Sequence, residues 1–127
     1  HNSTIRQART CYDHLAGVAG VQLLDEMLKR NWLTKNSGAG RPSYQLTSEG
    51  SRALAKRGIN LEQTEKTRRV FAYGCLDWTE RRSHLGGALG AAILQQMMAV
   101  GAVQREDDTR AVKVTKPLNR WLDEPGW

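Results

Sequence analysis

The sequence predicts an α+β domain, mostly helical, built from two repeats packed about a pseudo-two-fold seam. Each repeat contains a helix, a β-hairpin and a second helix. Two observations lead to this fold class. The segment HLAGVAG at 14–20 returns as HLGGALG at 84–90, and YQLT at 44–47 returns as VKVT at 112–115 after a two-residue deletion. Two copies are too few for a solenoid, so the 127 residues are predicted to form one compact domain.

The domain boundaries follow the repeat. We assign 1–127 to a single domain, 4–58 to the first repeat, and 59–127 to a connecting helix with the second repeat. A chain of this size buries roughly two-thirds of its unfolded surface, which is enough for a core. The apolar-rich stretch at 85–103 is interrupted by glutamines, so it is interpreted as a buried helix and not as a membrane span.

Six helices are predicted in chain order. They cover 5–12, 14–30, 47–57, 61–76, 84–100 and a segment that begins near 115. The two repeat helices have matching start signals, because Asp13 and Ser83 precede them and their side-chain oxygens can accept an unpaired backbone N–H. They also have matching stop signals in Asn31 and Gly101, residue types that readily adopt the left-handed conformation at a helix end.

Each repeat helix is followed by a hairpin pattern. Residues 32–34 and 43–47 alternate around a glycine-rich turn, and 102–105 and 111–114 flank a polar turn in the second repeat. Pro117 is predicted in the first turn of the last helix, where proline is tolerated. Helix, hairpin wing and helix in this order are typical of a winged helix, so the two repeats are predicted to be winged-helix-like.

Paired glycines predict close packing of the repeat helices. Gly17 and Gly20 in the first helix correspond to Gly87 and Gly90 in the second. Each costs roughly 1 kcal/mol relative to alanine in a helix interior. A close approach of two backbones would offset this cost, because it permits short van der Waals contacts. We therefore predict that the two repeat helices cross at these glycines.

Charge and cysteine content limit the class of protein. The net charge of +6 and the pI of about 9.7 permit contact with nucleic acid or another polyanion. The basic residues are scattered, however, so a solvated basic surface is the favoured interpretation. Two cysteines are too few for a disulfide framework, which indicates a reducing, cytoplasmic setting. Direct DNA contact would use the basic residues of the wings, namely Lys35, Arg41, Arg105 and Arg110.

Motifs that would indicate catalysis are missing from the sequence. There is no nucleophile elbow, Walker loop or paired-carboxylate pattern. The glycines at 38–40 are flanked by strand patterns on both sides and are therefore interpreted as a hairpin turn. We predict that the chain is not an enzyme and has no catalytic residues.

Two Cys/His pairs could bind a metal. Cys11 and His14 are three residues apart, so a helical turn would place them near one another, and Cys75 precedes a loop that leads to His84. Thiolate and imidazole suit zinc or a similar divalent ion, and a two-fold seam would bring the pairs together. Small buried thiols and backbone-bonded histidines are the simpler interpretation. We therefore expect no metal or other cofactor, with the four-residue zinc site as the alternative.

The polar turn at 77–82 is the first candidate for binding a small effector. Two arginines beside a helix N-terminus can hold a carboxylate or a phosphate. An internal network, in which Asp77 and Glu80 pair with these arginines, is the favoured interpretation. The candidate effector-binding residues are Tyr12, His14, Trp78, Arg81, Arg82 and His84.

Two long motifs resemble a known family. RTCYDHLAG at 9–17 and CLDWTERRSHL at 75–85 are similar to the C-terminal half of bacterial ArsR-type winged-helix transcriptional regulators. The resemblance runs from 9 to about 122. It implies an N-terminal winged-helix domain, outside this sequence, that binds operator DNA. It also implies a role in transcription regulation, such as that of a repressor.

Three functions are therefore compared. The leading hypothesis is a regulatory module of a transcription factor, for effector sensing or for dimerisation, with operator DNA, a small-molecule effector and a second copy of the chain as partners and no membrane partner. The first alternative is a wing-bearing module that contacts DNA directly. The second alternative is a metal- or thiol-based sensor that uses the Cys/His pairs.

Overall fold

The computed structural model describes residues 3–106, 109–115 and 117–124. These residues form an α+β fold of six helices and eight short strands, with more helix than strand. The helices are α1 (Ser3–Gln7), α2 (Gly17–Lys29), α3 (Ser48–Lys56), α4 (Leu61–Glu65), α5 (Gly87–Ala99) and α6 (Leu118–Asp123). Over the described ranges, none of these helices has the length and apolar character that crossing a membrane requires.

The strands form four antiparallel hairpins. They are β1 (Arg9–Cys11), β2 (His14–Ala16), β3 (Leu33–Lys35), β4 (Tyr44–Leu46), β5 (Tyr73–Leu76), β6 (Ser83–Gly86), β7 (Val103–Arg105) and β8 (Val112–Val114). The wings, β3–β4 and β7–β8, follow α2 and α5 and were predicted. The hairpins β1–β2 and β5–β6 precede these helices and were not predicted. We call them the inner hairpins.

The repeat helices begin later than the sequence indicated. Their first residues are Gly17 and Gly87, so the predicted starts at 14 and 84 are wrong, and Asp13 and Ser83 do not cap them. The φ angles of 77° at Gly17 and 89° at Gly87 turn the chain out of a strand and into the helix. Only glycine adopts this conformation without strain. The preceding residues are therefore free to pair as strands.

The ends of the repeat helices agree with the sequence signals. Asn31 and Gly101 have φ angles of 61° and 77°, in the left-handed region. The amide of the residue that follows each of them donates to a carbonyl of the last helical turn, that of Met27 at 2.9 Å or Met97 at 2.8 Å. Both helices therefore end in the same C-terminal capping motif.

The other helix predictions were partly correct. Thr47 caps α3 by accepting a hydrogen bond from Gly50 N at 2.9 Å, and Asn60 caps α4 by accepting one from Gln63 N at 3.0 Å. The predicted helices at 5–12 and 61–76 are too long. Helices α1 and α4 end at Gln7 and Glu65, and the last residues of the two predicted segments pair instead as strands β1 and β5. Pro117 takes the N-cap position of α6, just before the first turn in which it was predicted.

Each wing joins the inner hairpin of the other half. Isolated antiparallel bridges connect Arg9 with Ala111 and Ser43 with Tyr73. Flanking backbone hydrogen bonds run from Thr10 N to Arg110 O, Val112 N to Ala8 O, Gly74 N to Pro42 O and Tyr44 N to Ala72 O, at 2.8 to 3.2 Å. The backbone of each half therefore completes the sheet of the other.

Gly20 and Gly90 of the repeat helices pack against strands. The main contacts of α2 are with β6 and those of α5 are with β2, so the predicted crossing of the two helices at these glycines is wrong. A Cβ on Gly20 would lie 3.3 Å from the Cβ of His84, and one on Gly90 would lie 3.1 Å from that of His14. The absence of a side chain at each of these two glycines thus leaves room for a histidine of the opposite half.

One hydrophobic core runs through both halves. It includes Leu24 and Met27 of α2, Leu89 and Ile93 of α5, and Leu122 of α6, each at most 2% exposed. The inner hairpins lie between α2 and α5 and are therefore supported by this core on both sides.

Candidate functional site

The inner hairpins bring the two Cys/His pairs to one place. Cys11 lies opposite His14 across β1–β2, and Cys75 lies opposite His84 across β5–β6. The predicted proximity of Cys11 and His14 is correct, but it comes from cross-strand pairing and not from a helical turn. One potential ligand atom from each of the four residues lies within 4.8 Å of all the others.

The spacing within this cluster is close to that of a tetrahedral ion site. The Nε2 atoms of His14 and His84 are 3.1 Å apart, and the sulfurs of Cys11 and Cys75 are 4.0 Å apart as free thiols. Ordinary zinc–nitrogen and zinc–sulfur bonds at tetrahedral angles give separations of about 3.3 Å between nitrogens and about 3.8 Å between sulfurs. Each pair is therefore near the separation that a shared ion requires, whereas the longest separation in the cluster, 4.8 Å, exceeds it by about 1 Å.

The histidines are buried and the cysteines are only partly buried. His14 and His84 are 2% and 1% exposed, whereas both cysteines are half-buried. Burial lowers the pKa of both imidazoles, and for His84 the neighbouring His14 adds to this effect. Burial and the neighbouring Cys11 raise the pKa of the Cys75 thiol to about 11. Without a cation, burial therefore favours the neutral forms of both imidazoles and of the Cys75 thiol.

Asp77 determines the tautomer of His84. Burial opposes its ionisation, but hydrogen bonds from Gly17 N and from Thr79, with the charge of Arg9, hold the pKa of Asp77 well below its usual range. Asp77 Oδ2 lies 2.9 Å from His84 Nδ1. An ionised carboxylate can only accept, so Nδ1 carries the proton and Nε2 presents its lone pair to the cluster.

His14 is less completely bonded. Its Nδ1 is buried without a hydrogen-bond partner among the described residues, and it lies 3.4 Å from Asp13 Oδ1. A proton on Nε2 would let His14 donate to His84 but would leave the lone pair of Nδ1 facing a carboxylate. A proton on Nδ1 would relieve that repulsion and leave two Nε2 lone pairs 3.1 Å apart. A cation between these nitrogens would satisfy both rings.

The turn at 77–82 is bonded differently from the predicted network. Asp77 pairs with Arg9 at 2.9 Å and not with either arginine of the turn, and Arg82 pairs with Asp25 at 2.5 Å. The predicted Asp77 and Glu80 pairs with these arginines are therefore wrong, since Glu80 also pairs elsewhere.

The six candidate effector residues differ widely in their exposure to solvent. His14 and His84 are buried, while Tyr12 is 87% and Trp78 is 69% exposed. A groove of about 460 Å³ lies between α4 and α5, and none of the six residues lines it.

The candidate DNA contacts of the wings are exposed. Lys35 and Arg105 occupy equivalent positions at the ends of β3 and β7, and Arg110 lies in the second wing turn. Arg41 is also exposed, but its guanidinium carbon lies 3.8 Å from the centroid of the Tyr73 ring. This stacking holds Arg41 against the opposite half.

Three charged residues lie next to the Cys/His cluster but were not predicted from the sequence to belong to the site. They are Asp13, Asp77 and Arg9, which is 1% exposed. A signal for the two aspartates was present, because each stands two residues after a cysteine of the cluster. Arg9 gave no such signal.

Comparison with known proteins adds one relative. No protein-family model matches the chain, and no solved structure matches it. The chain is 44% identical over 109 residues to the uncharacterized HTH-type transcriptional regulator YdfF of Bacillus subtilis (strain 168). The alignment covers 86% of this chain and 46% of that protein, so the chain spans about half the length of the relative it matches.

Proposed function

We propose that this chain is the C-terminal regulatory module of a bacterial transcriptional regulator, without enzymatic activity, that senses an effector or holds a dimer. Operator DNA would be bound by an N-terminal winged-helix domain of ArsR type. The observation that carries this proposal is the 44% identity with half of an HTH-type transcriptional regulator. An identity of this extent supports a shared role for the two matched segments.

We also propose that the module consists of two winged-helix-like repeats about a pseudo-two-fold seam. The reciprocal bridges between wings and inner hairpins support this arrangement. So do the equal lengths of α2 and α5, which have 13 residues each. Thr47 donates to the carbonyls of Asn31 and Trp32, and its counterpart Thr115 donates to those of Gly101 and Ala102.

Direct DNA binding by the wings is the second candidate. It is supported by the exposure of Lys35 and Arg105 at equivalent positions of the two wings. Against it, β4 and β8 are engaged with the inner hairpins. Phosphate contacts alone give weak, salt-dependent affinity without sequence preference.

A binding titration separates these functions. We expect the chain alone to bind duplex DNA weakly, with an affinity that falls steeply between low and physiological salt and does not depend on sequence. A variant with Lys35→Ala, Arg105→Ala and Arg110→Ala would lose this residual binding. Tight, sequence-selective binding by the chain alone at physiological salt would overturn the proposal in favour of the second candidate.

A second test uses the complete parent protein. A parent lacking this module should still bind operator DNA in vitro, but it should lose dimerisation or the response of a reporter gene to its signal. An unchanged oligomeric state together with an unchanged reporter response would contradict a regulatory role for the module.

A further inference from the structure

We propose that Cys11, His14, Cys75 and His84 bind one Zn²⁺ ion between the inner hairpins. This site goes beyond the proposed regulatory function and stands on the geometry of the cluster alone. The sequence by itself favoured no metal. The arrangement of the four side chains favours the alternative, for reasons of distance, proton placement, outer bonding and charge.

The first reason is the convergence of four suitable donors. Two sulfurs and two imidazole nitrogens lie within 4.8 Å of one another, two from each half of the molecule. Two cysteines and two histidines form a standard donor set of structural zinc sites. The inner hairpins are held in place by the opposite wings, which keeps the two pairs of donors beside each other.

The second reason is the direction of the two imidazoles. Their Nε2 atoms face each other at 3.1 Å inside the protein, and Asp77 keeps the proton of His84 on Nδ1. Backbone-bonded histidines would turn these nitrogens towards amide or carbonyl groups instead. A shared ion accounts for two buried rings that direct their Nε2 atoms at the same point.

The third reason is a carboxylate behind each ring. Asp77 Oδ2 is 2.9 Å from the Nδ1 of His84, and Asp13 Oδ1 is 3.4 Å from the Nδ1 of His14. Histidines that bind metals commonly donate their second N–H to a carboxylate, which orients the ring and raises its basicity. His84 has such a partner in Asp77, and His14 has a carboxylate nearby in Asp13 on the turn of its own hairpin, without a hydrogen bond between them.

The fourth reason is the balance of charge. When Zn²⁺ binds, two thiols release their protons to solvent and two Zn–S bonds form, while two neutral imidazoles complete the coordination. The centre then carries no net charge. The neighbouring buried pair of Arg9 and Asp77 is already neutral as a pair. The half-buried sulfurs leave a route from solvent to the site.

A thiol pair that forms a disulfide is the competing explanation of the two cysteines. It accounts for the contact of 4.0 Å between the sulfurs. It does not account for the two imidazoles beside them, whose Nε2 atoms face each other. Zinc accounts for all four residues.

Cobalt serves as the spectroscopic probe of this site. The chain is purified under reducing conditions, stripped with a chelator and titrated with Co²⁺. We expect the visible absorption of tetrahedral cobalt together with thiolate-to-cobalt charge transfer, saturating at one ion per chain. Added Zn²⁺ should remove both bands, and the zinc-bound chain should melt at a higher temperature than the stripped chain.

Three variants make the test specific. Cys75→Ser and Cys11→Ser should each lose charge-transfer intensity and weaken cobalt binding by at least about 100-fold, because loss of a direct ligand exceeds the 10–100-fold effect of an outer partner. Asp13→Asn keeps all four ligands and should weaken binding about 10-fold. Circular dichroism of the stripped proteins shows whether each variant folds.

The third histidine of the chain provides the control. His1→Ala removes a histidine that is not one of the four proposed ligands, and the variant should bind cobalt as the unmodified chain does. If the reduced, folded chain gives no tetrahedral cobalt spectrum, the proposal is overturned. The same holds if the spectrum survives Cys75→Ser unchanged or disappears with His1→Ala. A disulfide on air oxidation, in a chain that binds no cobalt when reduced, would assign the cysteines to redox chemistry.

Discussion

The two inner hairpins present the same pair of side chains but support them differently. In the first, the turn consists of Tyr12 and Asp13, and Asp13 is half-buried and held by Arg69 at 2.5 Å. In the second, the longer turn at 77–82 buries Asp77 completely. The positions of cysteine and histidine are therefore equivalent in the two hairpins, whereas the groups behind the histidines are not.

The difference shows that the second hairpin also stabilises the first half. Asp77 accepts hydrogen bonds from Gly17 N at 2.6 Å and from Arg9 at 2.9 Å, and both residues belong to the first half. The start of α5 is bonded instead to the backbone, through Ala88 N to Val70 O at 3.0 Å. The second turn therefore combines a role at the candidate site with a role in joining the halves.

Removing Asp77 should produce the largest loss of stability. Asp77→Ala leaves the buried Arg9 guanidinium without its charged partner, and breaking such a pair costs about 3–5 kcal/mol. Asp13→Ala removes a partly exposed pair, which contributes about 1 kcal/mol or less. Urea unfolding of both variants measures the difference. Equal losses would show that the two turns support the fold alike.

Alanine at Gly20 or Gly90 should have an intermediate effect. The added Cβ would lie 2.4 Å from Leu15 O or 2.5 Å from Leu85 O, so backbone must shift, at a cost of about 1–3 kcal/mol. The two losses should be similar, because the halves contact each other reciprocally here. Gln22→Ala, at an exposed position of α2, serves as the control and should be nearly neutral. A neutral Gly20→Ala in thermal melts would contradict the close packing.

Thr47 and Thr115, the threonines that follow the wings, should differ least in the stability that is lost when each is replaced by alanine. Thr47→Ala removes bonds to two carbonyls and the cap of α3, whereas Thr115→Ala removes only the carbonyl bonds. We expect Thr47→Ala to cost about 1–2 kcal/mol and Thr115→Ala about 1 kcal/mol. Serine at either position keeps the hydroxyl and should restore most of the loss. A larger loss at Thr115 would reverse the comparison.

Part of the candidate site could be predicted from the sequence. Cysteine and histidine were selected by type and by their recurrence in the two repeats, and the structure brings these four residues together. The sequence indicated a helical turn between Cys11 and His14, because a spacing of three residues is also about one turn of a helix. Arg9 could not be found in this way, since its role depends on Asp77, far away along the chain.

The sequence by itself determined the elements that local signals control. Asn31 and Gly101 end the repeat helices, Thr47 and Asn60 cap α3 and α4, and the wings follow as alternating segments. Only the tertiary structure decided the inner hairpins and the cluster between them. Strands of three or four residues are too short for a periodicity that differs from a helical turn, so pairing across the hairpin and against the opposite wing determines their conformation.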